Sequence, residues 1–373
     1  MSDYLDYFSL ANASRTHART MTYKNRTIFC NENQEAILPP KVSWKEVARY
    51  YLHYPQDARP KNHVPFVDSD FKMCYFKPSI AWLGHSSLFL TFLHLHILVD
   101  PIFSMYASPF PFANRAFKQT KCFCADDFPP LFAVIITHSH FDHLDKASIM
   151  QIQEKTRYFI CPLKVGDYLK SWKIPASKII ELDWWNGIAL RESCAAQKDF
   201  VPQDLRKDKQ ESTKHQAILR IIATPSQHNS ARMGGFNTTL WASFVIEFLG
   251  EDSQYTRVFL SGDGGYYTHF QRIKEAFGGF DLACLESGQY NQAWRFSHSF
   301  PHEIVQEAID LKAKMVLPIH WGRFIAGTHA WNGVAKYLHQ RLPPLGILCA
   351  IPQIGQVYTI GENPPTLKWW ENE

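Results

Sequence analysis

Thr137-His138-Ser139-His140-Phe141-Asp142-His143-Leu144-Asp145 gathers three histidines and two aspartates into nine residues. The stretch follows the apolar run Phe132-Ala133-Val134-Ile135-Ile136, which reads as a buried strand. A turn at a strand end that projects several imidazoles and a carboxylate is a metal-ligand cluster. Neutral imidazole and carboxylate suit divalent zinc, iron or manganese, and ligands so close in sequence lose little further entropy on binding. The alternative, a polar loop that is His-rich by chance, is disfavoured because HxHxDH is more specific than the short clusters that recur by accident.

A turn of this length supplies only part of two coordination spheres, so more ligands are expected elsewhere. His228 follows Leu219-Arg220-Ile221-Ile222-Ala223, within Thr224-Pro225-Ser226-Gln227-His228. Asp263 follows Val258-Phe259-Leu260, within Ser261-Gly262-Asp263-Gly264-Gly265, where glycine lets the backbone bring a short carboxylate close to an ion. His320 follows Met315-Val316-Leu317, within Pro318-Ile319-His320-Trp321-Gly322. Taken singly, a histidine past a strand is more often a satisfied core or loop residue. Several such strand ends change the weighting, because the edges of a layered sheet converge and ligands distant in sequence meet there.

The order HxHxDH, then His, Asp and His resembles the metallo-β-lactamase superfamily of binuclear metal hydrolases. More narrowly, the chain is similar to the branch holding N-acylphosphatidylethanolamine-hydrolysing phospholipase D and its bacterial relatives. The residues carrying this match are Trp82-Leu83-Gly84-His85-Ser86-Ser87, Asp100-Pro101-Ile102-Phe103-Ser104, Ile180-Glu181-Leu182-Asp183-Trp184-Trp185, Leu240-Trp241-Ala242-Ser243, Phe280-Asp281-Leu282-Ala283 and Ile319-His320-Trp321-Gly322. The bacterial side of the branch is favoured by Glu286-Ser287-Gly288-Gln289-Tyr290-Asn291 and by the short interval from Tyr290 to His298.

The resemblance implies an α/β fold, an αβ/βα four-layer sandwich with two mostly antiparallel or mixed sheets between helices. It also implies two divalent metal ions, zinc first, with iron or manganese as the other choices. His138, His140 and His228 would hold one, Asp142, His143 and His320 the other, and Asp263 would bridge them. Asp142, Asp263 and His298 are then the expected catalytic residues. Two dications lower the pKa of water enough for hydroxide to attack a phosphoryl or carbonyl group near neutral pH.

His298, in Trp294-Arg295-Phe296-Ser297-His298, matches a histidine at the substrate phosphate in the resembling phospholipase; a surface-loop histidine is the other reading. Asp145 has two compatible readings, a carboxylate that orients a ligand histidine and an N-cap for Lys146-Ala147-Ser148-Ile149-Met150. His85 either reaches the metal centre or makes a structural hydrogen bond to the ligand turn. His94 and His96, on an expected strand, are read as structural. Cys122-Phe123-Cys124 has no matching second pair, so free cysteines are expected there rather than a zinc clip.

Composition fits one large catalytic domain. The 373 residues allow two average domains, but site residues spread from His138 to His320 leave no room for a cut between them. The expected division is 1–67 as an N-terminal extension packing on the domain and 68–373 as the hydrolase domain. Within the extension, Trp44-Lys45-Glu46-Val47-Ala48-Arg49-Tyr50-Tyr51-Leu52 reads as a helix, with Ser43 and Glu46 as a capping box. Pro301 to Lys314 reads as an amphipathic helix with Ile304, Ala308 and Leu311 on one face.

No apolar run reaches the roughly 18 residues a bilayer span needs, and the N-terminus has no leader-like pattern. The eight cysteines show no disulfide framework, so a cytoplasmic location, with peripheral membrane contact as an extension of it, is expected. A net charge of +4 gives no mandate for nucleic acid. The mixed-sign stretch from Lys198 to Lys214, in the insertion 194–216, reads as a solvated loop at the rim. Tyr106, Phe110, Phe112 and Phe117, around Pro109 and Pro111 in the loop 105–117, are read as pinning that loop to the domain, with a grip on acyl chains as the alternative.

The expected function is a binuclear metal-dependent hydrolase, a phosphodiesterase of phospholipase D type acting on N-acylphosphatidylethanolamine-like lipids. The expected partner is therefore a small-molecule or lipid substrate and not a nucleic acid. A metal-dependent lactonase acting on a cyclic ester and a non-catalytic metal-binding module are the alternatives. A nuclease is disfavoured because no basic substrate-gripping segment is apparent.

Overall fold

The strand expected before the ligand turn is present as Leu131–Ile135, buried along its whole length and paired in parallel on both sides. A strand covered on both faces must be a near-continuous apolar run, and this one is. The structure, a computed structural model, describes residues 4–12, 14–32, 55–108, 114–118, 120–191, 217–232, 235–250 and 252–371.

In chain order the strands are β1 Tyr4–Ser9, β2 Arg19–Tyr23, β3 Arg26–Cys30, β4 Tyr75–Trp82, β5 Leu88–Leu93, β6 Leu95–Val99, β7 Leu131–Ile135, β8 Thr156–Pro162, β9 Ile179–Leu182, β10 Asn186–Arg191, β11 Ala217–Thr224, β12 Ala231–Arg232, β13 Gly235–Phe236, β14 Ser243–Leu249, β15 Tyr255–Leu260, β16 Leu282–Glu286, β17 Met315–Ile319, β18 Leu348–Cys349 and β19 Val357–Thr359. The helices are α1 Lys146–Ile152, α2 Gly166–Ser171, α3 His269–Phe277, α4 Pro301–Asp310 and α5 Gly333–Arg341.

Two large mixed sheets result. One has the order β19-β4-β5-β6-β7-β8-β9 and the other β1-β10-β11-β14-β15-β16-β17-β18. In each, an antiparallel half gives way to a parallel half, β6 to β9 in the first and β15 to β18 in the second. The sheets share one buried core, and Phe92 of β5 meets Phe248 of β14 across it with ring centroids 5.6 Å apart. Helices α4 and α5 lie against β16 and β17, and α2 lies against β9. This is the mixed α/β architecture expected of the sequence.

Helix α4 is one turn shorter than expected. Lys312 takes a left-handed backbone, φ 53°, and the chain closes with Ala313 N donating to Ala308 O (3.0 Å) and Lys312 N to Ile309 O (2.9 Å). This Schellman pattern ends the helix although apolar spacing continues to Ala313. Ile304, Ala308 and Leu311 do share the buried face.

The N-terminal segment enters the larger sheet. β1 pairs antiparallel with β10 along its whole length, Tyr4 opposite Arg191 and Ser9 opposite Asn186. β2 and β3 form a separate hairpin that brings Asn31 into the protein interior. The helix expected over Trp44–Leu52 lies outside the described residues. Among the described residues, no helix is long and apolar enough to cross a membrane.

Candidate metal centre

Parallel strands place their C-terminal ends together, and the site is assembled from the loops that leave those ends. The turn after β7 carries His138, His140, Asp142 and His143; Asp263 follows β15, His228 follows β11 and His320 follows β17. The structure brings all seven together. Two groups form, each with ligand atoms within 4.8 Å of one another: His138, His140, His228 and Asp263, and His85, Asp142, His143 and His320.

Asp263 stands between the groups. Its Oδ1 is 3.1 Å from His143 Nε2 and its Oδ2 is 3.1 Å from His320 Nε2, while His138 Nε2 and His228 Nε2 are each 3.9 Å from Oδ2. Asp142 Oδ2 faces His320 Nε2 at 3.5 Å and His143 Nε2 at 3.8 Å. His140 turns Nδ1 inward, 2.9 Å from His138 Nε2 and 3.3 Å from His228 Nε2. Gly262, at φ 60°, passes under Thr137, where a Cβ would lie 3.0 Å from the threonine Cβ, so the loop can bring Asp263 in.

The inward nitrogens of His143, His138 and His228 are each aimed by a partner on the other side of the ring. Asp100, at the end of β6, holds His143 Nδ1 at 2.7 Å and accepts from Thr137 N (2.8 Å) and Thr137 Oγ1 (2.6 Å). Thr137 Oγ1 lies 3.0 Å from His138 Nδ1. The Ser297 carbonyl faces His228 Nδ1 at 2.9 Å. Such outer contacts fix tautomer and ring direction. The backbone of His228 is gripped by Asn31, whose Oδ1 accepts from His228 N (2.9 Å) and whose Nδ2 donates to His228 O (2.6 Å).

A second clamp holds the HxHxDH turn. Arg232, on the short β12–β13 ribbon, donates from Nη1 to the carbonyls of Ser139 (3.1 Å) and Leu144 (2.9 Å) and lies 4.0 Å over the Phe141 ring. It thereby joins the segment carrying His228 to the turn carrying four other site residues.

The donor set fits divalent ions on two counts. His143 Nε2, Asp263 Oδ1 and His320 Nε2 are buried without a hydrogen-bond partner, although they face one another across the centre. Orphaned buried atoms converging on one point are what a metal cage looks like before its ion is considered. The charges agree. Burial, reinforced by neighbouring imidazoles, pushes His138 well below the ordinary histidine range; burial does the same to His228 and takes His140 down to about 4, so these are neutral ligands. Around His320, burial is outweighed by Asp263, Asp142 and Glu286, which push it up to about 10. This half of the site attracts positive charge, as an unpaired anionic field must.

Other expectations sort differently. His298 is buried beside the centre, its ring 5.2 Å from His228 and 5.7 Å from His320, so it is not a surface-loop histidine. His85 Nε2 lies 3.1 Å from Asp142 Oδ2, which places it against the centre. Of its two readings, Asp145 takes the N-cap. Its side chain accepts from Ala147 N and Ser148 N of α1 and from Ser104 Oγ, and the ligand-orienting role falls to Asp100 instead. His96 Nδ1 lies 3.0 Å from Thr91 Oγ1, away from the site.

Cys122 and Cys124 are free and exposed. Phe117 is buried with its ring against Trp331 at 6.3 Å, as a loop pinned by its aromatics requires. Phe110, Phe112 and the stretch from Lys198 to Lys214 lie outside the described residues. Sequence reasoning does not single out Asn31 or Arg232, nor does it bring Glu286 to the site. Glu286 shows the same signal as the other site residues, a polar side chain directly after the apolar run Leu282-Ala283-Cys284-Leu285.

A family model described as a beta-lactamase superfamily domain matches residues 96–321. An uncharacterized protein of Mycobacterium tuberculosis is 30% identical over 335 residues, 88% of this chain and 80% of that protein. The mitochondrial N-acyl-phosphatidylethanolamine-hydrolyzing phospholipase D of Saccharomyces cerevisiae is 30% identical over 251 residues, 66% of this chain and 47% of the yeast protein, so the match spans about half the latter's length. The solved structure of CmlA, a diiron β-hydroxylase from Streptomyces venezuelae, is similar at a TM-score of 0.53 and 15% identity, over 76% of this chain and 54% of that one. At that identity the likeness concerns the fold alone.

Proposed function

The chain belongs to the metallo-β-lactamase superfamily, in the branch of the N-acyl-phosphatidylethanolamine-hydrolyzing phospholipases D, and from that premise we propose that it is a phosphodiesterase of phospholipase D type acting on N-acylphosphatidylethanolamine-like lipids. The observation that carries the reading is Asp263, set between two groups of imidazoles and carboxylates with 3.1 Å to a histidine of the second group from each of its oxygens. A pair of divalent ions held there supplies Lewis acidity, making hydroxide available near neutral pH and offsetting negative charge that develops on a phosphoryl oxygen.

The protein's own groups do the rest. His138, His140 and His228, kept neutral by burial, offer lone pairs without competing for protons. Asp142, Asp263, His143 and His320 make the second half, and Asp263 serves both. Asp142 and His140 are the groups of the centre that keep contact with solvent, the Asp142 side chain one-fifth exposed, so substrate and water approach on their side. His298, buried on the flank between His228 and His320, is placed to meet an oxygen of the substrate or of its leaving group.

The test is hydrolysis. Two zinc, iron or manganese ions per chain, release of the ethanolamide from N-acylphosphatidylethanolamine in liposomes, slower turnover of a simple aryl phosphodiester, and loss of both activities in Asp263→Asn support the proposal. Turnover of lactones with no cleavage of either phosphodiester sinks it.

A further inference from the structure

Glu286 ends β16, between the strands that deliver Asp263 and His320, and its carboxylate is fully buried. Its backbone is fixed from two sides, for Glu286 N donates to Ser261 Oγ (2.8 Å) and Ser287 N to Ile319 O (2.9 Å). The next residue but one is pressed against the metal centre. A Cβ on Gly288 would lie 2.2 Å from the His320 carbonyl oxygen and 2.9 Å from His320 Nδ1, so only glycine lets this turn pass. Gly288 N in turn donates to Glu286 Oε1 at 3.0 Å and fixes the carboxylate.

That same Oε1 faces two imidazoles. It lies 3.3 Å from His298 Nδ1 and 3.6 Å from His320 Nδ1. His320 turns its other nitrogen, Nε2, to Asp263 and Asp142, so Glu286 stands behind that ring and outside the cage. His298 packs between His228 and His320, and with Nδ1 toward Glu286 its Nε2 is the ring atom left for a substrate. Glu286 Oε2 is buried without a partner. A carboxylate kept in that condition costs stability, and such groups persist where they orient something that reacts.

We propose that Glu286 is a positioning residue that fixes His298 with a proton on Nδ1 and Nε2 turned to the substrate, and that it steadies the ring of His320 from behind. The kinetic part rests on the hydrolase reading above; the orientation of His298 does not.

The experiment uses the full chain loaded with zinc. Nitrogen-15 histidine NMR reads the tautomer of His298, and hydrolysis of bis(p-nitrophenyl) phosphate reads turnover. In the parent protein the His298 ring shows a protonated Nδ1. Glu286→Met, close in shape but without an acceptor, loses that signature and lowers kcat about 10- to 100-fold with little change in KM. Glu286→Gln, which keeps an acceptor oxygen, restores the signature and most of kcat. In a His298→Ala background, Glu286→Met costs little more.

If the His298 tautomer is unchanged in Glu286→Met, or if the loss in kcat is as large without His298 as with it, Glu286 does not position His298. A parent protein that cleaves no phosphodiester defeats the proposed function, while the NMR comparison still decides this inference. Should Glu286→Met not fold, Glu286→Gln against Glu286→Ala reads the same contrast.

Discussion

Asp100 Oδ2 lies 2.7 Å from Nδ1 of His143, on the far side of the ring from the aspartates that face the centre. A carboxylate in that position holds the ring with Nε2 inward and makes it a better ligand. Asp100→Asn keeps an acceptor for Thr137 N but loses the oxygen shared by Thr137 Oγ1 and the proton at His143 Nδ1. Zinc affinity is expected to fall about 10- to 100-fold. Competition with a chromophoric chelator measures it; an unchanged affinity would falsify the role.

Asn31→Ala acts on the other half of the site. It removes both hydrogen bonds to the His228 backbone and one of two acceptors of Trp241 Nε1. The loss is expected to cost about 1–3 kcal/mol, for partners left buried. Zinc titration followed by calorimetry should show one of two equivalents weakened, that of His138, His140 and His228. Equal weakening of both, or of neither, contradicts the arrangement.

Arg232→Met removes two charge-assisted hydrogen bonds to Ser139 and Leu144 while leaving apolar bulk over Phe141. Stability should fall by about 2–3 kcal/mol, seen as a lower urea midpoint with an unchanged slope. A midpoint that does not move would mean the clamp contributes nothing.

Glu307, buried on α4, is held well above the usual carboxylate range by burial, with Glu286, Glu303 and Asp310 adding to it. The folded state therefore keeps a proton there that the unfolded chain has released. Stability is present below the unfolded pKa of a glutamate and declines as pH rises from there toward the folded value. Glu307→Gln keeps an acceptor for Ser299 Oγ and removes that decline. Its melting temperature should gain more over the parent at pH 8 than at pH 4. The opposite ordering would show that the carboxylate is charged in the folded protein.

The seven residues at the centre were readable because each follows an apolar strand closely, and strand ends with polar side chains are where layered sheets gather chemistry. The same rule applied to Asp100 and Glu286, but a carboxylate that serves another side chain leaves no mark of its own until that partner is placed. Asn31 and Arg232 were harder. Their contacts join residues 197 and 93 positions apart, and neither residue stands in a patterned stretch. Asp145 was legible as a cap because an N-cap is a local event, settled within three residues. The early end of α4 escaped because apolar spacing records which face is buried and says nothing of where the backbone turns left-handed.

The grip of Asn31 on His228, together with the delivery of His320 from β17, sets an order of events for a chain emerging from a ribosome. The HxHxDH turn appears early, yet the cage of His138, His140, His228 and Asp263 waits for β15 to be made and for the segment after β3 to fold back onto His228, and the other cage waits for β17 to join its sheet. Capture of the second ion is thus a late step that locks a nearly finished molecule, and a chain interrupted before His320 should bind that ion weakly and exchange it fast.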